Sequence, residues 1–218
     1  MTAPPITTQW LGRIAYADAL ALQEKIVAQK KQAHTDGTDA PDILLTLEHD
    51  PIYTIGRTRD RSSLRDAASL PHSVVEINRG GQATFHGPGQ LVGYPILDLQ
   101  NRGRDLHRYL RAIEAVLIET LRGFDIDAQR REGLTGVWVG AKKIASIGVG
   151  VRHWITMHGF ALNVCGDLAP FAHITPCGIA GVEITSIERE TRKAVTVKAV
   201  AEKTGAIFAV RFDALLCA

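Results

Sequence analysis

Cysteine, net charge and long apolar runs are all scarce in this sequence. Its 3 cysteines are too few, and odd in number, for a disulfide framework. No apolar stretch approaches the roughly 20 residues of a membrane-spanning helix. The segment from Met1 to Pro5 lacks the basic and apolar regions of a signal peptide. These absences predict a cytoplasmic protein with free thiols and no membrane partner.

The charge balance excludes a second class of partner. Lysine and arginine number 25 against 23 aspartates and glutamates, a net charge of +2. Binding to a polyanion through bulk charge is therefore not expected, and we predict no nucleic-acid partner.

The composition is that of a globular protein, with 45% hydrophobic and 22% charged residues. Residues 1–218 are long enough for a single domain with its own core.

Hydrophobic spacing predicts a mixture of helices and strands. Helical spacing or composition predicts helices over residues 14–31, 105–124 and 197–216. Short apolar or β-branched runs predict strands over 43–47, 52–55, 73–77, 137–139, 143–151 and 155–162. The last three strands follow one another without a helix between them. This pattern predicts an α+β fold with a mixed, largely antiparallel sheet flanked by helices.

Glycine is concentrated in the segment from Arg79 to Gln90. Four glycines and a proline in twelve residues indicate a loop rather than an element interior. Such a loop lets backbone N–H groups approach a ligand, although a plain glycine-rich hairpin loop fits equally well. Gly87, Gly89 and Gly93 are spaced one residue too widely for a dinucleotide fingerprint, and no P-loop motif is present.

One cysteine stands on a predicted turn, and two lysines precede a nearly uncharged strand. Pro176 and Gly178 flank Cys177, which favours a thiol presented to a cavity. Neighbours on a strand point to opposite faces, so one of Lys142 and Lys143 can face inward and stabilise a thiolate. An ordinary surface pair of lysines is the simpler alternative.

Two rival chemistries fit the residues poorly. A zinc site would need ligands such as His173 and Cys177 on a helix, and Pro176 excludes a helix there. A serine hydrolase would need a glycine where Ile144 stands, two residues before Ser146. We therefore predict no metal.

Five blocks of sequence, in order, resemble the lipoyl(octanoyl)transferase family. They are Glu48 to Gly56, Arg79 to Gln90 followed by Tyr94, Gly136 to Gly148, His158 to Asn163, and Pro176 to Gly178. Together they span most of the chain, and five ordered blocks are far more specific than one glycine-rich loop. The resemblance implies the fold of the biotin and lipoate protein ligase catalytic domain.

The resemblance also implies a reaction and its residues. An octanoyl group leaves acyl carrier protein, is held as a thioester on Cys177, and ends on a lysine of a lipoyl domain. Lys143, rather than Lys142, lowers the pKa of the cysteine or acts as base, and no cofactor takes part. The implied acyl-binding residues are Arg79, Gly80, Gly81, Gln82, Ala83, Thr84, Phe85, His86, Ser146, Ile147, Gly148, Gly159, Phe160 and Ala161.

The implied partners are octanoyl-acyl carrier protein as donor and two kinds of acceptor. The acceptors are the lipoyl domains of 2-oxoacid dehydrogenase E2 subunits and the glycine cleavage H protein. Because these carriers are acidic as families, we expect a docking patch of arginines, unless these are simply a solvated loop. The patch consists of Arg57, Arg59, Arg61 and Arg65. Small residues on adjacent strands would leave room for the acyl tail, namely Ala145, Gly148, Gly150, Gly159 and Ala161.

Two other functions remain alternatives. An ATP-dependent lipoate or biotin protein ligase shares the implied fold but forms an acyl-adenylate and needs no cysteine. A non-catalytic module that binds acyl groups or carriers would need neither Cys177 nor Lys143. The presence of both residues favours the transferase.

Overall fold

The computed structural model describes residues 4–57, 61–64, 70–175 and 181–217. Ten strands and four α-helices lie in this part of the chain. The strands are β1 Ile6–Ile14, β2 Asp42–His49, β3 Ile52–Ile55, β4 Val74–Glu76, β5 Thr84–His86, β6 Gln90–Ile96, β7 Gln129–Arg131, β8 Leu134–Val139, β9 Lys142–Arg152 and β10 Ile155–Asn163. The helices are α1 Tyr16–Thr35, α2 Leu106–Arg122, α3 Ile187–Thr191 and α4 Val197–Cys217.

The strands form a large sheet and a small one. The large sheet has seven strands in the order β1-β2-β6-β10-β9-β8-β7. In this sheet β1 and β2 pair in parallel, and every other pair of neighbouring strands is antiparallel. In the small sheet β3 pairs parallel with β4 and antiparallel with β5. The predicted mixed, largely antiparallel sheet is confirmed.

Helices cover both faces of the large sheet. The buried stripe of α2, which includes Ile113 and Leu117, joins α4 in the main core on one face. Ala19 and Val27 of α1 join a second cluster on the other face. Asp105 caps the start of α2 by accepting a hydrogen bond from the N–H of Arg108 at 3.0 Å. This arrangement confirms the predicted flanking helices.

Two sequence-based expectations about the elements were wrong. Helix α1 begins at Tyr16 rather than Ile14, because residues 6–14 form the edge strand β1. The segment from Arg79 to Gln90 is also not loop throughout. Strand β5 lies inside it, where Phe85 pairs with Tyr53, and β6 begins at Gln90. The glycines flank these short strands rather than interrupt them.

No helix in the described part of the chain is both long and apolar enough to cross a membrane.

A buried ion cluster joins three elements at one end of the large sheet. Asp42, fully buried at the start of β2, accepts a hydrogen bond from Lys30 Nζ of α1 at 2.6 Å. Its other oxygen is bound by Arg102, whose Nε also lies 2.7 Å from Asp213 of α4. The N–H of Asp98 donates to Asp42 as well, at 2.9 Å. One carboxylate therefore holds α1, β2 and the residues before α2 together.

Replacing Asp42 should strongly destabilise the fold. Asp42→Ala leaves the buried Lys30 without a carboxylate and removes one of the two that bind Arg102, which we expect to cost about 3–5 kcal/mol. The measurement is the free energy of unfolding in urea. The control is Glu202→Ala, which breaks an exposed pair with Lys198 and should change stability by no more than about 0.5 kcal/mol. Equal losses in the two variants would contradict the role of the cluster.

Candidate active site

A narrow cavity lies where the glycine-rich segment crosses β9 and β10. All of the acyl-binding residues implied by the family resemblance line it, except Gly80 and Phe85. Phe85 packs instead in the core of the small sheet beside Tyr53 and Phe171. The cavity has a volume of about 50 Å³, whereas one water occupies roughly 10–15 Å³ on the same measure. The cavity therefore has room for only a few water molecules.

Five further residues that line the cavity were not among the predicted site residues. They are Tyr16, Ile77, Val92, Tyr94 and His158. Tyr94 and His158 belong to the sequence blocks that resemble the family, so the sequence could have identified both as site residues. Tyr16 comes from α1, which lies far away in the sequence. Only the packing of α1 against β6 and β10 brings it to the cavity.

The small residues predicted to make room for an acyl tail divide among three places. Gly148 pairs with Gly159 across β9 and β10, and both line the cavity with Ala161. Ala145 belongs to the main core instead. Gly150 lies outside the cavity, in a neighbouring groove.

Arg79 places a buried guanidinium beside the cavity. Its Nη2 donates to both the carbonyl oxygen of Thr54 at 3.0 Å and the Oγ1 of Thr54 at 2.9 Å. Its Nη1 donates to the carbonyl of Gly80 at 2.9 Å. With five donors in a rigid fork, Arg79 fixes the glycine-rich segment against β3.

A chain of hydrogen bonds continues from Thr54 and fixes the tautomer of His86. Gln90 Nε2 donates to Asn163 Oδ1 at 2.9 Å, so its Oε1 is the acceptor at 2.8 Å from His86 Nδ1. His86 therefore carries its proton on Nδ1, and Nε2 accepts from Thr54 Oγ1 at 3.4 Å. Asn163 Nδ2 in turn donates to the carbonyl of Thr185 at 3.0 Å.

Burial keeps the histidines and tyrosines around the cavity uncharged. Burial, followed by the proximity of His49, lowers the pKa of His86 to about 3. Burial, followed by the charge of Arg79, lowers the pKa of His158 to about 4. Burial also raises the pKa of Tyr16 to about 12 and holds the pKa of Tyr94 well above its usual value. The surface is thus polar but nearly neutral, apart from Arg79.

The structure separates the two adjacent lysines, and Lys143 is the buried one. Lys142 is half-exposed and forms an ion pair with Glu190 at 3.3 Å. Lys143 is only 1% exposed. Its Nζ donates to the carbonyl of Thr135 at 3.3 Å and lies 5.5 Å from the centre of the Trp138 ring. The simpler reading of an ordinary surface pair was therefore wrong.

A glycine makes room for the Lys143 side chain. A Cβ on Gly136 would lie 2.7 Å from the carbonyl oxygen of Ala145 and 2.8 Å from Lys143 Cε, and its φ of 132° is one that side chains rarely adopt. The N–H of Gly136 donates to the buried carboxylate of Glu114 at 3.0 Å. Glu114 thus fixes the backbone that Lys143 packs against.

Cys177 and its neighbours 176–180 lie outside the described residues, but both flanks are held at the site. On one side, the N–H of Thr175 donates to the carbonyl of Ser63 at 2.7 Å, and Ser63 Oγ accepts from the N–H of Ala83 at 3.2 Å. On the other side, the N–H of Lys143 donates to the carbonyl of Glu183 at 2.8 Å. One flank is thus tied to the glycine-rich segment and the other to Lys143.

The other two cysteines lack the surroundings of a nucleophile. Cys165 is half-buried, and burial, followed by the carboxylates of Glu188 and Glu48, raises the pKa of its thiol. A thiol with a raised pKa is a weaker source of thiolate. Cys217 is an exposed thiol at the end of α4.

The buried histidines should make stability depend on pH. Because the folded pKa values of His86 and His158 lie below the unfolded value of about 6.5, the unfolded chain binds more protons as the pH falls. Stability present above pH 6.5 should be lost towards pH 4, at up to about 1.4 kcal/mol per pH unit for each histidine. Urea unfolding across this range measures the slope. His158→Met should make it shallower, and an unchanged slope would contradict this account.

Two solved structures of related fold can be compared with the chain. The bipartite lipoate protein ligase from Thermoplasma acidophilum, described with its E2 lipoyl domain, is 15% identical with a TM-score of 0.68, covering 100% of this chain and 91% of that one. The biotin protein ligase from Aquifex aeolicus, in complex with biotin and ATP, is 14% identical with a TM-score of 0.61, covering 97% and 70%. At these identities the comparison shows the fold, and it confirms the expected fold class.

Sequence comparison is more specific. An octanoyltransferase from Geobacter sulfurreducens is 53% identical over 199 residues, which cover 91% of this chain and 81% of the relative. An octanoyltransferase from Synechococcus elongatus is 45% identical over 208 residues, which cover 94% and 87%. A sequence model of the lipoyl protein ligase A/B catalytic domain matches residues 15–209. The protein therefore belongs to the octanoyltransferases, acyltransferase members of the lipoyl protein ligase A/B catalytic-domain family.

Proposed function

We propose that the protein transfers an octanoyl group from octanoyl-acyl carrier protein to a lysine of a lipoyl domain, through a thioester on Cys177. The observation that carries the proposal is the buried Lys143, which is hydrogen-bonded to one flank of the Cys177 segment. The other flank is tied to the glycine-rich wall of the cavity. A nucleophile between these flanks would have a cation on one side and the acyl cavity on the other.

The lining of the cavity suits an apolar acyl tail. Gly148 and Gly159 leave part of its wall without side chains. Burial keeps its histidines uncharged, so an apolar tail displaces few charges when it enters. We place the octanoyl tail along the residues of β9 and β10 that line this space.

Two proton transfers through Lys143 balance the reaction. The Cys177 thiolate attacks the octanoyl thioester, and the carrier leaves as a thiol after taking a proton from Lys143 Nζ. The acceptor lysine then gives one proton to Lys143 and attacks the Cys177 thioester as a neutral amine. The C–S bond breaks, the Cys177 thiolate returns, and the second amine proton passes to solvent.

Several backbone amides of the glycine-rich segment are already used within the protein. The N–H of Gly80 donates to Val149 at 2.9 Å, and that of Gly89 donates to Glu48 Oε2 at 2.7 Å. The N–H of Ala83 donates to Ser63. These three groups stabilise the segment itself, so we do not assign them to the oxyanion of the tetrahedral intermediate.

The support for each proposed partner comes from a different source. Lipoyl domains as acceptors are supported by the fold neighbour described with its E2 lipoyl domain. Acyl carrier protein as donor, and the glycine cleavage H protein as a second acceptor, rest on the family resemblance. Within the predicted docking patch, Arg57 is exposed and Arg61 pairs with Glu76 at 2.9 Å. Arg59 and Arg65 lie outside the described residues, so the patch stays a prediction.

The covalent step should be visible by mass spectrometry. We expect an octanoyl adduct, labile to hydroxylamine, on the wild type mixed with octanoyl-acyl carrier protein in the absence of ATP. Cys177→Ser should abolish the adduct, and Cys165→Ser, which removes the half-buried thiol, should retain it. Labelling that requires ATP and free octanoic acid would contradict the proposal and place the protein with the ligases of the same fold. The absence of an adduct under both conditions would favour a binding module.

A substitution that shifts the side chain of Lys143, while keeping the lysine itself, should slow the reaction. Gly136→Ala puts a methyl group against Lys143 Cε, and a misplacement of about 1 Å can lower kcat by about 10²-fold. Removal of the amine in Lys143→Met should lower kcat by about 10²–10⁴-fold. Both effects should fall on kcat rather than KM in steady-state transfer assays.

Gly133→Ala is the matched control for this prediction. Gly133 also has a positive φ, 72°, but an added Cβ would have no atom within 4 Å. The control therefore places a side chain at a positive φ without contacting Lys143 or the carbonyl oxygen of Ala145, and it should retain most of the wild-type kcat. Equal losses in Gly133→Ala and Gly136→Ala would show that strain, rather than the position of Lys143, lowers the rate.

A further inference from the structure

One peptide group of β8 lies between a buried cation and a buried anion. Its carbonyl, that of Thr135, accepts a hydrogen bond from Lys143 Nζ at 3.3 Å. Its N–H, that of Gly136, donates to Glu114 Oε1 at 3.0 Å. The carbonyl carbon of Thr135 and the nitrogen of Gly136 are the two atoms of a single planar peptide bond. One amide therefore joins the ammonium of Lys143 to the carboxylate of Glu114.

The dipole of this amide is aligned with the two charges. The N–H end of a peptide group carries partial positive charge and the carbonyl end partial negative charge. Glu114 lies at the N–H end and Lys143 at the carbonyl end. Hydrogen bonds to ions are stronger than neutral ones, and linked hydrogen bonds polarise one another. The carboxylate therefore makes the carbonyl of Thr135 a better acceptor for the ammonium.

Burial gives this arrangement its importance. Glu114 is fully buried, and Lys143 is almost fully buried. Taking an ammonium out of water costs free energy, and the attraction between opposite charges is stronger away from water. A carboxylate held one peptide group away offsets part of that cost for Lys143.

The ion pairs of Glu114 do not by themselves explain its buried position. Its Oε2 lies 2.7 Å from Arg111 Nη1 and 3.1 Å from Arg130 Nε, and both arginines are half-exposed. Pairing with two half-exposed arginines does not require a buried carboxylate, and burying one costs free energy. The inward position of the side chain is what brings Oε1 to the N–H of Gly136.

We propose that Glu114 is a positioning residue for the transfer reaction. Its charge acts through the Thr135–Gly136 peptide and holds the Lys143 ammonium where the reaction uses it. Glu114 is not among the residues that line the acyl cavity, so its effect on the rate passes through Lys143. The inference rests on the proposed function, because it needs Lys143 to take part in the transfer.

The test removes the charge of Glu114 and keeps its size. Glu114→Gln retains an oxygen that can accept from Gly136, and it should lower kcat by about tenfold, the difference between a charged and a neutral hydrogen-bond partner. KM for octanoyl-acyl carrier protein should not change. The matched control is Glu119→Gln, which removes a carboxylate of the same helix that pairs with Arg211 at 3.3 Å. It should keep kcat within about twofold of the wild type.

A double-mutant cycle separates positioning from a purely structural role. In the Lys143→Met background, Glu114→Gln should change the remaining kcat by less than about twofold, because the group on which Glu114 acts is absent. A tenfold loss in both backgrounds would overturn the inference. It would also be overturned by an unchanged kcat in Glu114→Gln, by an effect on KM alone, or by an equal loss in Glu119→Gln.

A second variant covers the case in which Glu114→Gln does not fold. Glu114→Asp keeps the charge but withdraws it from the N–H of Gly136 by about 1.5 Å. It should cause a smaller loss of kcat that also disappears in the Lys143→Met background, and a loss that persists there would contradict the inference.

The outcomes distinguish this inference from the proposed function. Losses that are the same with and without Lys143, with the octanoyl adduct still on Cys177, would overturn the role of Glu114 alone. No octanoyl adduct on the wild type, or full kcat in Lys143→Met, would instead refute the proposed function.

Discussion

Close contact between backbones is the constraint on which the candidate site depends. The glycine-rich segment lies against β3 and β9 at distances that leave no room for side chains. A Cβ on Gly56 would lie 2.0 Å from the carbonyl oxygen of Gly81, and one on Gly148 would lie 2.9 Å from that of Gly80. The hydrogen bond from Gly80 to Val149 fixes this contact. The cavity is the narrow space left where these backbones meet.

The polar groups around the cavity bind one another and hold little charge. Arg79, Thr54 and His86 belong to one chain of hydrogen bonds that reaches Asn163 and Thr185. Such a network orders its members and fixes their protonation, which burial keeps neutral at the histidines. An apolar group could therefore lie beside many nitrogen and oxygen atoms without displacing charges.

Lys143 is positioned by a separate set of contacts at the opposite end of β9. Its surroundings are the carbonyl of Thr135, the ring of Trp138 and the backbone of Gly136, which Glu114 holds. The same strand carries Ser146 and Gly148, which line the cavity. One strand thus holds both the buried lysine and part of the cavity wall, which supports the proposed function.

Local sequence determined the elements that have strong periodicity, and tertiary contacts decided the rest. The stripe of α2 and the β-branched runs of β9 and β10 were readable because each is a local pattern in the sequence. The edge strand β1 was missed because it exists only through its parallel pairing with β2. Strand β6 was missed because Gly93 and Pro95 interrupt its pattern, although it lies fully buried between two other strands.

The same division holds for the site. Motifs identified the residues that line the cavity, and strand alternation left Lys142 and Lys143 as equal candidates for an inward position. The family resemblance chose Lys143, and the packing of Trp138 and Gly136 is the physical reason that Lys143 is the buried one. Tertiary packing likewise places the side chain of Phe85 in the core of the small sheet and places Tyr16 beside the cavity. Which face a side chain takes depends on neighbours that are distant in the sequence, so local patterns cannot determine it.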